Sequence, residues 1–416
     1  MLSSRSALFS AVTPLRSLVT LMLLVLLATL PVQRAGAQAV DTDPLNRTPL
    51  VQEGFRYFYV MDYKDALRVF RRVQAEHPAA PIATDYVLYV TIFQELFRQD
   101  LLDTTFYAND GFLTGKHKVV ENPQVTNDVK GLAQKVFDQA DAELQRNPND
   151  VNALFARGWG RSLEAVYVAM VERGFGSALK LAFGAKSDCE KVLQLDPNYV
   201  DAKLVVGVYQ YVIGALPFAF KLLIGFAGIH GSKPEGLATL ADAANRGVIT
   251  SVEARTVMAF FLRREGQYQK ALAINASLVK EYPHDFLFNL ERANLAKDAG
   301  EGMRAVALYE KVIRDAKRPG YFPSAHVELA YFGLGDSYRG QKLYPQAAEA
   351  YQAGARQATT SPELRQRCLL AAGEVYDLMH QHQEARREYL AVLGVAGNTS
   401  QGDLARKYMD DPYQSK

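Results

Sequence analysis

The sequence predicts an all-α fold in which pairs of antiparallel helices stack into a right-handed superhelix, with elongated or interrupted pairs in the middle. Two observations support this prediction. A small residue, an aromatic residue, an alanine and a second aromatic residue recur at spacings of 3, 9 and 4 positions. Two adjoining copies start 34 residues apart, at Val252 and Phe286, which is the period of a helix-pair repeat.

The repeat pattern has a physical cause. Small residues at the first and third positions let two helix backbones cross closely, and the aromatic residues fill the space between neighbouring helices. A proline after the second helix ends it, because proline has no N–H to donate and clashes with the preceding turn. The copies with the clearest register are Gly54, Tyr57, Ala66, Phe70 and Pro78; Gly335, Tyr338, Ala347 and Tyr351; and Gly373, Tyr376, Ala385 and Tyr389.

These copies resemble the tetratricopeptide repeat (TPR) family, and the resemblance covers most of the chain after its N-terminal segment. Pro148 and Pro197, each beside Asn and Asp residues, indicate two further repeats in the middle. Residues 158–283, with an apolar insert and a run from Gly236 to Gly247, resemble the tetratricopeptide repeat protein 39 family. Members of that family are associated with intracellular membranes and lipid droplets in eukaryotes. The resemblance implies a stacked-helix architecture.

The first 37 residues have the features of a secretory signal peptide. Arg5 and Arg16 precede an apolar run of 13 residues at positions 18–30, and the small residues at 35–37 are typical of a cleavage site. Because a membrane-spanning helix needs about 20 apolar residues, a cleaved signal is favoured over a permanent anchor. The sequence therefore predicts export to the periplasm or the cell exterior, with envelope association as a further option.

Charge and cysteine content argue against two other classes of protein. The chain has 47 basic and 45 acidic residues, and removal of residues 1–37 leaves 44 basic residues against the same 45 acidic ones. A chain so close to neutral does not attract nucleic acid as a whole, so no nucleic-acid partner is expected. A disulfide-dependent scaffold would have more cysteines than Cys189 and Cys368, which are expected to be buried apolar side chains.

These features divide the chain into four predicted parts. One of these parts, the solenoid, contains an insertion at about 166–182. This insertion is expected to extend two helices by about two turns on either side of a turn at Gly174. In order, the parts are a signal peptide (1–37), a flexible N-terminal segment (38–48), a TPR-like solenoid (49–393) with insertions at about 101–124, 166–182 and 211–234, and a capping helix with a tail (394–416).

No residue pattern supports an enzyme, a cofactor site or a metal centre. Ser337 follows Gly and Asp as in one hydrolase family, but it falls inside a predicted helix rather than on a turn after a strand. His380 and His382 lie in a predicted turn without a cysteine or a third histidine nearby, so they are expected to be solvated. A P-loop and a dinucleotide fingerprint are also missing from the sequence.

Residues 211–231 form an apolar stretch in which only Lys221 and His230 are readily charged. Pro217 and four glycines exclude a straight membrane-spanning helix. The stretch either folds back into the core or forms a rim that lies on a membrane surface or binds an apolar partner segment. The residues expected to make such a contact are Pro217, Phe218, Phe220, Leu222, Leu223, Ile224 and Phe226.

The TPR resemblance also implies where a partner would bind. In that family the first helix of each repeat lines a concave surface, and aromatic and arginine side chains on it can bury area or bind carboxylates. Aromatic residues at helical spacing also pack in cores, so a structural role competes with binding at each position. The candidates are Phe55, Phe58, Tyr59, Phe155, Trp159, Phe260, Arg263, Arg264, Asn294, Lys297, Phe332, Asp336, Arg339, Glu374 and Asp377.

The sequence thus predicts a non-enzymatic scaffold that binds a protein or peptide partner in its concave groove, with envelope assembly as one setting. No cofactor is expected. The alternative is a membrane-surface or lipid-associated TPR protein that uses the apolar stretch at 211–231.

Overall fold

The computed structural model describes residues 41–107, 120–216 and 230–415. Within these ranges it contains α-helices, two short 3-10 helices and no strand. The predicted signal peptide and the apolar candidates from Pro217 to Phe226 lie outside the described residues. No helix in the described ranges combines the length and the apolar character that crossing a membrane requires.

The described α-helices form eight successive pairs, and one more helix follows the last pair. Each helix packs against the next one in the chain, as the predicted right-handed TPR-like superhelix requires. The helices are α1 (Pro49–Phe58), α2 (Tyr63–Glu76), α3 (Pro81–Arg98), α4 (Pro123–Arg146), α5 (Val151–Met170), α6 (Phe175–Leu195), α7 (Ala202–Ala215), α8 (Lys233–Arg246), α9 (Ser251–Arg264), α10 (Tyr268–Glu281), α11 (Phe286–Asp298), α12 (Gly302–Ala316), α13 (Val327–Gly340), α14 (Tyr344–Ala355), α15 (Pro362–Leu378), α16 (His382–Val395) and α17 (Ser400–Asp410).

In several pairs a glycine in the first helix faces an aromatic ring in the second helix. A Cβ atom on Gly54 would lie 2.4 Å from the Phe70 ring, and one on Gly335 would lie 2.5 Å from the Tyr351 ring. Because real Cβ atoms do not approach carbon atoms this closely, the two helices can pack at this distance only where the residue is glycine. The pair α15–α16 repeats the arrangement. The spacing found in the sequence therefore reports direct contacts between paired helices.

The pair α5–α6 is the elongated central pair that the sequence predicts. Its helices have 20 and 21 residues, against 10 and 14 in the pair α1–α2. A short turn joins them, in which Arg173 has a positive φ of 58°. The extra residues thus lengthen both helices instead of forming a separate element.

The segment before α1 differs from its prediction as a flexible segment at 38–48. Residues 44–47 form a 3-10 helix, and Thr42 and Asn46 are both buried. The Thr42 hydroxyl donates a hydrogen bond to Asp201 at 2.6 Å. From residue 41 onward the segment is packed, because its polar side chains hydrogen-bond to helices that lie far along the chain.

Asp201 joins three parts of the chain. One of its carboxylate oxygens accepts hydrogen bonds from the backbone N–H groups of Val248, Ile249 and Thr250, at 2.8–3.2 Å, just before α9. The other oxygen accepts the hydroxyl of Thr42. Since Asp201 directly precedes α7 and is fully buried, a single carboxylate fixes the starts of α7 and α9 and the segment before α1.

Candidate partner-binding groove

The aromatic candidates of the early repeats lie in the core. Each is at most 7% exposed. The indole of Trp159, for example, lies 5.5 Å from the ring of Tyr89, measured between ring centres. These side chains hold α1, α3 and α5 together, so the surface left for a partner lies elsewhere. They are Phe55, Phe58, Tyr59, Phe155 and Trp159.

Ion pairs link the first helices of the later repeats, and we call this series the ion-pair ladder. In each pair a basic residue at the end of one first helix binds an acidic residue on the next first helix along the chain. The pairs therefore run from α9 through α11 and α13 to α15. They are Arg263–Asp298 at 2.7 Å, Lys297–Asp336 at 3.2 Å and Arg339–Glu374 at 2.7 Å.

Tyrosines from the second helices add hydroxyl donors to the ladder. The repeat pattern assigns the second aromatic position a space-filling role only. Where this residue is a tyrosine, its hydroxyl also donates a hydrogen bond to the first helix, and the choice of tyrosine over phenylalanine is the sequence signal for that bond. Phe70 occupies the position in the first pair and has no such donor. The hydrogen bonds are Tyr309 to Asn294 at 2.6 Å, Tyr351 to Asp336 at 2.8 Å and Tyr389 to Asp377 at 2.8 Å.

Accessibility is lowest at the start of the ladder and highest on α13. The side chain of Arg263 is 2% exposed, whereas those of Asp336 and Arg339 are 33% and 26% exposed. Burial lowers the pKa of Lys297, but Tyr309 and the nearby carboxylates outweigh it, so the pKa lies above its ordinary value and the ammonium is charged at neutral pH. A partner could therefore reach charged groups on α11 and α13, while Arg263 is closed off.

A loop of the same chain closes off the first part of the ladder. Residues 100–104, which follow α3, hydrogen-bond to α9, to α11 and to the residue before α15. Two of the candidates, Arg263 and Asn294, are thus bound within the chain. The contacts are Arg263 to Thr104 at 2.5 Å, Asn294 to Asp103 at 3.3 Å and Ser361 to Asp100 at 3.2 Å.

The segment after α17 covers the far end of the ladder. The backbone N–H of Tyr413 donates to Asp377 at 2.8 Å, and the guanidinium of Arg339 donates to the Tyr413 hydroxyl at 2.8 Å. The guanidinium carbon lies 5.1 Å from the centre of the Tyr413 ring, within the range of a cation–π contact. Two candidate groove residues thus bind the backbone, the hydroxyl and the ring of one tyrosine.

The remaining aromatic and basic candidates are half-buried. The ring of Phe332 lies 5.6 Å from the ring of Tyr351 and 4.6 Å from the guanidinium carbon of Arg367. Phe260 and Arg264, on α9, are intermediate in exposure. The structure thus places the basic and acidic candidates of α11–α15 in one surface and the early aromatic candidates in the core.

Residues considered for other chemistry have structural contacts. His382 lies 2.7 Å from Asp377, so it is bound within the chain instead of solvated as expected, whereas His380 is exposed. In the described ranges no group of three or more His, Cys, Asp or Glu side chains could hold a metal ion. Cys189 and Cys368 are free and fully buried, as the sequence predicts.

No protein-family model and no curated protein matches the sequence. Several solved structures do match it. A chain of the APC/C hetero-tetramer Cut9–Hcn1 is 14% identical, with a TM-score of 0.48, over 89% of this chain and 57% of that chain. A tetratricopeptide repeat protein from Parabacteroides merdae is 16% identical, with a TM-score of 0.34, over 78% of this chain and 97% of that one. Yeast Tom70 is 10% identical, with a TM-score of 0.39, over 87% of each chain.

Proposed function

We propose that the protein is a non-enzymatic scaffold that binds an extended segment of a partner protein along the ion-pair ladder of α11–α15. The observation that carries this proposal is the binding of Tyr413 by Asp377 and Arg339. A partner segment offers the same groups, a backbone N–H and an aromatic side chain. The chain's own tail thus serves as an intramolecular ligand that a partner would replace.

The chemistry of the ladder favours such an exchange. Asp336 and Arg339 keep a quarter to a third of their side chains exposed, so a partner can approach them without unfolding a helix. A guanidinium can bind a carboxylate in a forked arrangement and can also stack on an aromatic ring. The tail sequence Asp410-Asp411-Pro412-Tyr413 supplies both kinds of group, so we expect a partner segment with acidic residues beside a tyrosine or phenylalanine.

A peptide tests this proposal directly. A synthetic peptide with the sequence of residues 410–415 is titrated into the chain truncated after Asp410 and into the full chain. We expect binding to the truncated chain and at least about tenfold weaker apparent binding to the full chain, because the tethered tail competes at high effective concentration. Calorimetry or fluorescence anisotropy measures both affinities.

Matched variants locate the peptide on the ladder. Replacement of the peptide's tyrosine by alanine, or Arg339→Gln in the protein, should remove most of the binding. Arg314→Gln changes an exposed arginine on α12 that pairs with Glu310, away from the ladder, and it should have no effect. Equal binding of the tyrosine and alanine peptides would contradict the proposal.

Export of the chain is also part of the proposal, and it rests on residues 1–37 of the sequence. Fractionation should find the protein in the periplasm or the medium, and N-terminal sequencing should begin at Gln38. A mature protein that still contains residues 18–30 would show an anchor instead.

Peripheral membrane contact through residues 211–231 is the alternative function, and it agrees with the resemblance to the tetratricopeptide repeat protein 39 family. Val212, on α7 at the start of this stretch, is 44% exposed although it is apolar. Association with membranes that resists salt and yields to detergent would favour this alternative. The double variant Leu222→Glu with Ile224→Glu should then release the protein while its helical circular dichroism signal is unchanged.

A further inference from the structure

A cavity of about 170 Å³ lies between the early repeats and the middle repeats. Its wall comes from residues 58–63 and 89–104 on one side and from α9, α10 and α11 on the other. A cavity of roughly 150 Å³ in another protein holds a molecule of benzene. The space therefore fits a compound with one small ring or a short alkyl chain.

Aromatic rings form much of the wall, and they are held in place by each other. The rings of Phe58 and Tyr89 lie 4.3 Å apart, and those of Tyr89 and Phe93 lie 4.7 Å apart, measured between their centres. Tyr59, Tyr63 and Phe288 also line the cavity. Because the face of an aromatic ring is electronegative, a wall of this kind attracts cations.

Carboxylates supply the charge of the wall. Asp103, Glu253, Asp285 and Glu291 line the cavity, and the described lining includes no lysine, arginine or histidine. Arg263 binds Glu291 from behind at 3.1 Å. Asp285 is engaged at the start of α11, where it accepts the backbone N–H of Phe288 at 2.6 Å.

Glu253 differs from Glu291, which is paired with Arg263, and from Asp103 and Asp285, which accept backbone N–H groups at 3.0 and 2.6 Å. It accepts hydrogen bonds from the hydroxyls of Tyr59 and Tyr89, and in the described part of the chain it forms no ion pair. A positive charge placed in the cavity would therefore have Glu253 as its natural counter-ion.

Two acceptor atoms of residues that line the cavity have no hydrogen-bond partner among the described residues. They are Oε2 of Glu253 and Oδ1 of Asn275, and both are buried. Both tyrosine hydroxyls bind the other oxygen of Glu253, and the amide nitrogen of Asn275 donates to the carbonyl of Phe288 at 3.1 Å. Buried acceptors are costly when no donor reaches them, so a molecule with two or more N–H donors would fit the cavity.

We infer that this cavity binds a small organic ammonium ion, a protonated primary amine whose apolar body is about the size of one ring. The ammonium group donates to Glu253 and Asn275, and the body packs against Phe58, Tyr89 and Phe288. A primary ammonium satisfies both unpaired acceptors and the uncompensated carboxylate. A quaternary ammonium lacks the N–H donors, and a neutral alcohol lacks the charge.

The charge state of Glu253 adds a pH dependence. Burial raises the pKa of Glu253 to about 7, although the hydrogen bonds from Tyr59 and Tyr89 act in the opposite direction. Asp201 contributes to the rise as a nearby like charge, and Tyr282 packs against Tyr59 on the same side. Asp285 and Glu291 line the same cavity, and burial raises the pKa of Asp285 to about 7 as well and also raises that of Glu291. Since the ionised carboxylate is the form that binds an ammonium, affinity should rise by about tenfold between pH 6 and pH 8.

Calorimetric titration of the purified chain tests the inference with three probes that share a benzyl group, two of equal size and one larger. Benzylamine should bind at pH 8, and benzyl alcohol and benzyltrimethylammonium should bind at least about tenfold more weakly. Benzylamine should also bind about tenfold more weakly at pH 6 than at pH 8. Failure of benzylamine to bind at millimolar concentration, or equal binding of benzyl alcohol, would overturn the inference.

Variants place the amine in the cavity. Glu253→Gln keeps the side-chain shape and should remove both the preference for benzylamine over benzyl alcohol and the pH dependence. Val257→Trp, on α9, should fill the cavity and abolish binding of every probe, with circular dichroism to confirm that the variant is folded. Glu349→Gln removes an exposed carboxylate on α14 and should change nothing.

Benzylamine binding that survives Glu253→Gln unchanged would overturn the inference. The groove peptide should bind the Glu253→Gln variant normally, so the two sites are tested separately.

Discussion

The early and the late repeats use the same positions of the repeat for different purposes. On α1 the inward positions hold Phe55 and Phe58, which are buried, whereas on α13 they hold Asp336 and Arg339, which are partly exposed and charged. In both regions a glycine packs against an aromatic ring of the paired helix. The repeat pattern therefore determines how the helices pair, while the residues between its fixed positions determine the chemistry of the inner face.

The difference follows from what lies opposite each region. α9 packs near the early repeats and supplies Glu253 to the hydroxyls of Tyr59 and Tyr89, so that face is enclosed. In the described part of the chain, the charged ends of α13 and α15 are covered by the tail around Tyr413. The inner face of α1 is enclosed and is packed with aromatic side chains, whereas a face that is covered by one short segment can keep its charges partly exposed.

The largest effect should come from the enclosed region. Trp159→Ala should lower the free energy of unfolding by about 3–5 kcal/mol, because it leaves a cavity among buried rings. Phe332→Ala removes a half-buried ring in the late region and should cost less than half as much. Urea denaturation measures both, and equal losses would contradict the contrast between the regions.

Removal of the first arginine of the ladder should have the next largest effect. Arg263→Gln leaves Glu291 and Asp298 without their cation in a buried setting, which should cost about 3 kcal/mol. Arg339→Gln removes a partly exposed pair and should cost about 1 kcal/mol or less. Thermal unfolding of the two variants shows whether the ion pairs of the ladder contribute less to stability toward α15.

A smaller effect on stability is expected from the glycine–aromatic contact that both regions share. Gly335→Ala would bring a Cβ atom 2.5 Å from the Tyr351 ring and should cost about 1–3 kcal/mol. Gly340, in the same helix, has open space at the Cβ position, so Gly340→Ala should be neutral or slightly stabilising. Similar unfolding midpoints for the two variants would show that the glycine contact does not set the helix spacing.

The smallest effect on stability should come from the tail. Tyr413→Ala should change the free energy of unfolding by less than about 1 kcal/mol, because the residue makes a few half-exposed contacts. Hydrogen exchange of the amides at 411–415 should nevertheless become faster, since the bond to Asp377 loses its support. A large loss of stability would mean that the tail is part of the core.

The sequence predicts the helix pairs well because their contacts are local. Gly54 and Phe70 are 16 positions apart, and the same offset recurs for Gly335 with Tyr351, so one periodic pattern reveals both contacts. The elongated pair α5–α6 follows from the same spacing, because only the distance between its marker residues is increased.

The inner surface was less predictable because its contacts join distant residues. The bonds from Arg263 to Thr104 and from Asn294 to Asp103 span 159 and 191 positions. No repeat pattern records such pairings, so the candidate residues could be placed on the inner face while their partners could not be named. The packing of residues 41–48 was not predicted for the same reason, because the partner of this segment, Asp201, is distant in the sequence.

The carboxylate of Asp201 has a consequence for the order in which the chain acquires its structure. An array held together only by neighbouring repeats can grow one repeat at a time as the chain lengthens. Here the Thr42 hydroxyl has no acceptor until residue 201 is present, and the site is complete only when residue 250 has been made. We therefore expect nascent chains shorter than about 250 residues to be protease-sensitive at their N-terminal end and to gain resistance in a single late step.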